Sequence, residues 1–311
     1  MKEEKIIIGK DGKYPLNGIL SLPENITSAL PAVVLVHGSG SHDMDETLLK
    51  VNKPFRDIGG YLPAKGIAVL RYDKRTYTYG RQMVKEKDFP GFTVKEETME
   101  DAIYAAGLLK NDSRINPDRI FILGHSLGGM LAPRIDKEGG NFAGLILLGS
   151  SPRSLVDIIL DQQENLLKQS GKFLQFIINK QFAPFRKKFE VMAGMTEEEA
   201  KNTKFAGPNR MWYLKEIVDN PVGNYLIPLE KPVLIMQGEK DVQVTADKDF
   251  ALYKEICAGK QNVEFKLYPG LNHLFMKSVY GTIKDVRKEY KIPQKVETNV
   301  MDDIAEFILR N

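Results

Sequence analysis

The chain has one cysteine, Cys257, one tryptophan, Trp212, and four histidines in 311 residues. A single cysteine excludes an intramolecular disulfide. Cys257 falls in the helix-like stretch DKDFALYKEICAGK, where a thiol reads as buried packing. Long apolar runs are also missing. None approaches the about 20 residues that a membrane-spanning helix needs. The three isoleucines of MKEEKIIIGKDG are too few for the core of a secretory leader. From these absences a soluble, cytoplasmic protein is expected. Nor is there a block of one charge. The 44 Lys and Arg are interspersed with 41 Asp and Glu, leaving a formal charge of +3, and no basic tract carries interleaved aromatics. Nucleic acid is therefore not an expected partner. His37, His42, Asp43 and Asp45 crowd one segment but read as solvated loop polars, so no metal is expected. GGMLAPR lacks the lysine of a phosphate loop, and no cofactor is expected.

Hydrophobic residues make up 42% of the chain and charged residues 27%, which suits a globular protein with a sizeable core. The length fits one large α/β domain with an insertion. Short apolar runs bounded by turn residues alternate with helical patterns. KIIIG (5–9) and NGILSLP (17–23) read as leading strands, antiparallel at an edge, with GKDGKYPLNG as the hairpin turn. PAVVLVHG (31–38), IAVLRYD (67–73), RIFIL (119–123), AGLILLGS (143–150), KPVLIMQG (231–238) and VEFKLYP (263–269) read as further strands. Residues 53–66 read as a helix. A second begins near the capping-box pair Thr93 and Glu96 and carries Met99, Ile103, Ala106 and Leu109 at helical spacing. Val300, Ile304 and Phe307 share a face of a last helix. Such alternation predicts an α/β fold: about eight strands in a mostly parallel sheet, with helices on both faces.

Residues 151–230 break the rhythm. They hold no convincing strand, but Leu155, Ile158, Ile159 and Leu166, then Phe173, Phe176 and Ile177, follow helical spacing, and Thr196 and Glu199 form another capping box. We expect an inserted helical lid here, with 1–150 and 231–311 forming the core.

GHSLGG (124–129) lies where the strand RIFIL hands over to a helix. Gly-x-Ser-x-Gly in a strand–turn–helix context is a nucleophile elbow, which makes Ser126 the candidate nucleophile. A serine hydroxyl needs a base, and the base an orienting acid. His125 adjoins the serine, so its side chain should point away; His37 and His42 lie upstream in HGSGSHD. His273, in YPGLNHLF, follows the last strand at the C-terminal edge of the sheet, where sites of open α/β sheets form. It is the candidate base. The acid should lie in QGEKDVQV, after KPVLIM. Asp241 is the choice, because it sits farther into the loop, with Glu239 as the fallback.

GHSLGG, the early HGSG, the late GEKD and the LNH loop together resemble the α/β-hydrolase superfamily. Within it they resemble the bacterial serine esterases and acyl hydrolases of the feruloyl-esterase-like and serine-aminopeptidase-like group. The resemblance covers nearly the whole chain except the expected lid. It implies an α/β-hydrolase fold, a Ser126–Asp241–His273 triad, and an oxyanion hole made by the backbone N–H groups of Leu127 and Ser39, with His37 bracing the latter's loop. That group usually has Asp-x-Arg-Gly where this chain has Asp73-Lys74-Arg75-Thr76. Asp73 and Arg75 are expected to hold the loop beside the site.

The resulting expectation is serine-dependent hydrolysis of a small-molecule ester, with an apolar or aromatic acyl or alcohol group, through an acyl-enzyme. An amidase or peptidase and an acyltransferase would use the same three residues. A noncatalytic binding protein would normally show a broken triad. The sequence leaves open whether the chain forms a homo-oligomer.

Overall fold

β3 (Leu30–Val36) reads LPAVVLV and is buried at every position. Such a run needs cover on both faces, which an inner strand of a parallel sheet has. The computed structural model describes residues 1–311 and puts β3 in that place. The other strands are β1 (Lys2–Ile8), β2 (Leu16–Leu22), β4 (Ala68–Tyr72), β5 (Ile115–His125), β6 (Gly144–Leu148), β7 (Val233–Gly238) and β8 (Val263–Tyr268). The eight form one sheet in the order β1-β2-β4-β3-β5-β6-β7-β8. β2 pairs antiparallel with β1 and β4, and all other pairings are parallel. The expected mostly parallel sheet with an antiparallel edge is what forms.

The helices are α1 (Pro54–Tyr61), α2 (Arg75–Met83), α3 (Glu100–Lys110), α4 (Leu127–Ile135), α5 (Leu155–Lys168), α6 (Lys172–Met192), α7 (Glu197–Asn202), α8 (Met211–Asp219), α9 (Gly223–Leu226), α10 (Ala251–Ile256), α11 (Val286–Glu289) and α12 (Thr298–Arg310). Alternate strand residues point to opposite faces. Val34, Val36, Ile122, Leu145 and Ile235 therefore pack with α3 and α4. Val33, Leu35, Leu123, Ile146 and Met236 pack with Phe55 and Ile58 of α1 and with Val300, Ile304, Phe307 and Ile308 of α12. Cys257 is buried in the first of these layers.

Local chemistry explains where the elements differ from expectation. The helix expected over 53–66 ends at Tyr61. A 3₁₀ turn, Leu62–Lys65, follows with Pro63 in its first turn, and Gly66 closes it at φ 83°. α2 carries no apolar stripe that would have revealed it and buries only Arg75 and Met83. Glu96 accepts from Thr93 N–H at 2.8 Å, but Thr93 Oγ1 accepts from Lys95 N–H at 3.2 Å, because a wider turn, Lys95–Met99, precedes α3. The capping box of Thr196 and Glu199 is complete.

Between β6 and β7 the chain forms α5 to α9 and no strand. A small core of their own joins Val156, Met192, Ala200, Met211 and Leu214. Phe173 and Phe176 lie on α6 as their spacing suggests, yet they are 79% and 67% exposed, since α6 buries only Ile178 and Met192.

Candidate active site

β5 pairs with β3 so that Gly124 stands beside Val36, and the chain then turns into α4 through Ser126 at φ 52°, ψ −117°. A left-handed φ is strained for a residue with a side chain, and it persists only where the surroundings enforce it. The glycines make the turn sterically possible. A Cβ on Gly124 would stand 2.2 Å from the Gly128 carbonyl oxygen, and one on Gly128 2.3 Å from that of Val36. Leu127 N–H opens α4, so it has no helical partner, and no other group of the protein accepts from it.

His273 follows β8 in a loop tied down by Asn272. The Asn272 Oδ1 accepts from Leu274 and Met276 N–H, and its Nδ2 donates to Glu289 at 2.7 Å. His273 Nδ1 lies 2.6 Å from Asp241 Oδ2. A carboxylate only accepts, so the proton is on Nδ1 and Nε2 of the neutral ring is free to accept one. Asp241 is itself fixed by Gln243 N–H (2.8 Å), Val244 N–H (3.0 Å) and Gln237 Nε2 (3.0 Å). Glu239 turns away, accepting from Gly270 N–H at 3.1 Å. Ser126 and His273 line the same cavity, of about 1020 Å³, without a direct hydrogen bond between them. Such bonds often tighten only when substrate is bound.

Ser39 lies on the loop after β3, between Gly38 and Gly40, and lines the cavity as well. Its N–H donates to no group of the protein. Gly38 packs so closely on the serine that a Cβ there would be 3.2 Å from Ser126 Cβ. His42 Nε2 bonds the Ser39 carbonyl at 2.8 Å, and buried His37 bonds the Asp43 carbonyl at 3.0 Å. Burial holds His37 down to about 3 and hence neutral. His37 is thus no solvated loop polar, and Asp43 and Asp45, though half-buried, are tied into the fold by side-chain partners. Asp43 accepts from Thr47 N–H and Oγ1, and Asp45 pairs with Lys53 and Arg71. Asp73 does hold this loop, through Met44 N–H at 2.9 Å. Arg75 does not, since it turns to Glu100 and Asp101 on α3.

His125 differs most from expectation. Its ring does not point away from the site. It is buried 4.8 Å from the His273 ring, its Nε2–H donates to the His273 carbonyl at 3.0 Å, and its Nδ1 lies 3.0 Å from Glu46 Oε2, off the line of a good hydrogen bond. The other oxygen of Glu46 accepts from Gly38 N–H at 2.8 Å. Glu46 and His125 thus connect the loop of Ser39 to the loop of His273. Lys74, also buried, donates to the Gly38 carbonyl at 2.9 Å and pairs with Glu97 at 3.5 Å. Nothing in the local sequence marks Glu46 or Lys74, because their partners are remote along the chain.

The cavity wall opposite the sheet comes from the stretch between β6 and β7, with Leu155, Ile158 and Ile159 of α5 and Tyr213 and Leu214 of α8. Tyr213, which lines the cavity as Glu97 does, donates its hydroxyl to the Glu97 carboxylate. No helix of the chain is long and apolar enough to cross a membrane. A hydroxyl on a strained turn, unpartnered N–H groups beside it and an imidazole oriented by a carboxylate are the parts of nucleophilic acyl transfer.

The profile of the alpha/beta hydrolase family matches residues 33–280. Esterase EstD of Thermotoga maritima is 32% identical over 295 residues, 95% of this chain, and the chain spans 66% of that relative's length. Among solved structures, Est1E from Butyrivibrio proteoclasticus, with ferulic acid bound, is similar with a TM-score of 0.57 at 18% identity, over 98% of both chains. Proline iminopeptidase of Mycobacterium smegmatis is similar with a TM-score of 0.58 at 15% identity, over 99% of this chain and 98% of its own. At these identities the two structures speak for a shared fold alone.

Proposed function

Because the chain belongs to the alpha/beta hydrolase family, we propose that it hydrolyses carboxylic esters through an acyl-enzyme on Ser126. The observation that carries this is Ser126 at φ 52°, presented to one cavity with His273, whose Nδ1 is fixed 2.6 Å from Asp241. Ser126 Oγ attacks the ester carbonyl as His273 Nε2 takes its proton. The oxyanion is received by the N–H groups of Leu127 and Ser39. His273 then protonates the departing alcohol, and Asp241 steadies the imidazolium throughout. In the second half, water gives its proton to His273 and attacks the acyl carbon. Ser126 recovers a proton and the acid leaves.

An ester suits this centre better than an amide because an alcohol leaves more easily than an amine, and the relative EstD is an esterase by name. The helices α5 to α9 act as a lid, and their Leu155, Ile158, Ile159 and Leu214, facing Phe89 and Phe92 of the core, favour an apolar or aromatic acyl or alcohol group. The ferulic acid seen in Est1E is an acid of that aromatic kind.

The test is hydrolysis of p-nitrophenyl esters and matching p-nitroanilides by wild type and Ser126→Ala, with a fluorophosphonate as active-site label. We expect ester turnover and labelling in the wild type alone. Equal turnover by both proteins would refute Ser126 as nucleophile. Anilide turnover matching that of the esters would make the protein an amidase.

A further inference from the structure

The loop Gly38-Ser39-Gly40 is soft by composition, with Gly40 at φ 97°, yet one of its N–H groups has to be aimed at a single point. A peptide unit is planar and trans, so Ser39 N–H points opposite to the Gly38 carbonyl of the same unit. Whatever holds that carbonyl aims the N–H. Lys74 Nζ holds it at 2.9 Å, while Glu46 holds the N–H of Gly38 at 2.8 Å. Lys74 is 2% exposed. Its own backbone N–H is anchored on the His42 carbonyl, and Glu97 at 3.5 Å balances its charge. An ammonium taken out of water is costly unless paired, and here it is spent on one backbone carbonyl beside Ser126. A charge-assisted bond to that carbonyl also polarises the peptide and strengthens its N–H as a donor.

We propose that Lys74 is a positioning residue for acyl transfer: by clamping the Gly38 carbonyl it turns Ser39 N–H toward the oxyanion and strengthens it. This rests on the proposed chemistry at Ser126. Lys74 touches no reacting atom. It acts through a peptide that does, so its loss should be felt where negative charge develops and not where substrate merely binds.

Lys74→Met in a Glu97→Gln background avoids stranding a buried carboxylate, and its effect is read against Glu97→Gln alone. With p-nitrophenyl butyrate we expect kcat to fall about 100- to 1000-fold, the effect of losing one oxyanion donor, with KM within about twofold. The affinity for an alkyl boronic acid, which forms a tetrahedral anion on serine, should fall in parallel, while inhibition by butyrate should not change. A kcat and boronate affinity within about threefold of the Glu97→Gln reference would overturn the proposal, as would equal losses of boronate and butyrate binding. If the double variant does not fold, Lys74→Arg takes its place, since it keeps the cation for Glu97 but displaces the donor. It should lower kcat and boronate affinity together, and wild-type values for both would refute the role. A wild type that turns over no ester and takes no fluorophosphonate at Ser126 would overturn the acyl-transfer reading itself, whereas an active wild type with an unimpaired variant overturns Lys74 alone.

Discussion

Glu46 stands at φ 51° and is 1% exposed, with one carboxylate oxygen on Gly38 N–H and the other beside His125. Burial is the largest influence on its carboxyl and raises it, but the neighbouring imidazoles, His125 foremost, together outweigh burial and hold it at about 2. For His125, burial opposes the charged ring, but Glu46, with the His273 carbonyl and Asp241 added, more than compensates, so its pKa lies above the ordinary 6.5. The two contributions have opposite signs in pH. A depressed carboxyl stabilises the fold above its ordinary 4.5, and that stabilisation is lost as pH falls from there toward about 2. A raised imidazole stabilises the fold below 6.5, and that is lost as pH rises through its folded value. The pair therefore contributes most between these two ordinary values. Glu46→Gln keeps an oxygen for Gly38 N–H but removes the charge. The Tm difference from wild type should be widest at about pH 5.5 and narrow on either side. A difference that stays constant from acid to alkaline pH would contradict an ionised pair.

At the scale of elements, the stretch between β6 and β7 has only a small core of its own and depends on ties to the main body. One tie joins α8 to α4, with Arg134 Nη2 2.6 Å from Glu216 Oε1 and both side chains nearly inaccessible. Removing one partner of a buried pair leaves a charge uncompensated and costs about 3–5 kcal/mol. Arg134 keeps Glu138 at 2.7 Å, so Glu216→Ala should cost about 3 kcal/mol, the low end of that range. Urea unfolding measures the loss. Amide exchange should quicken in α7 to α9 while α12, which buries Val300, Ile304 and Phe307 on the other face of the sheet, stays protected. Uniform quickening across the chain would show that α8 is no separate unit of stability.

For the whole molecule, the sheet sets out Ser126 after β5, Asp241 after β7 and His273 after β8 along one edge, and α5 and α8 enclose a cavity of about 1020 Å³ over them. That volume is at the upper end of ordinary small-molecule pockets, roughly 300–1,000 Å³, so groups well beyond acetyl fit. Each methylene taken from water contributes about 0.8 kcal/mol. With part of that expressed in the transition state, kcat/KM should rise about 10- to 100-fold from p-nitrophenyl acetate to the hexanoate. A flat or falling series would place the acyl group outside the cavity.

The strands follow from the chain's own residue pattern, since β3, β6 and β7 are apolar runs that only a doubly covered sheet can bury. The same pattern sets the turn at Ser126, since Gly124 and Gly128 sit where any side chain would strike backbone. These signals are local, carried within a few residues. Tertiary structure decided what depends on partners far apart in the chain. Asp241 and Glu239 both follow β7, but only packing turns Asp241 onto Gln237, Val244 and His273 and leaves Glu239 on Gly270. His125 meets His273, Lys74 meets Gly38 and Glu46 meets His125 for the same reason. A buried polar group takes whichever partner the fold brings to it, because leaving it unpaired costs more than any local preference supplies.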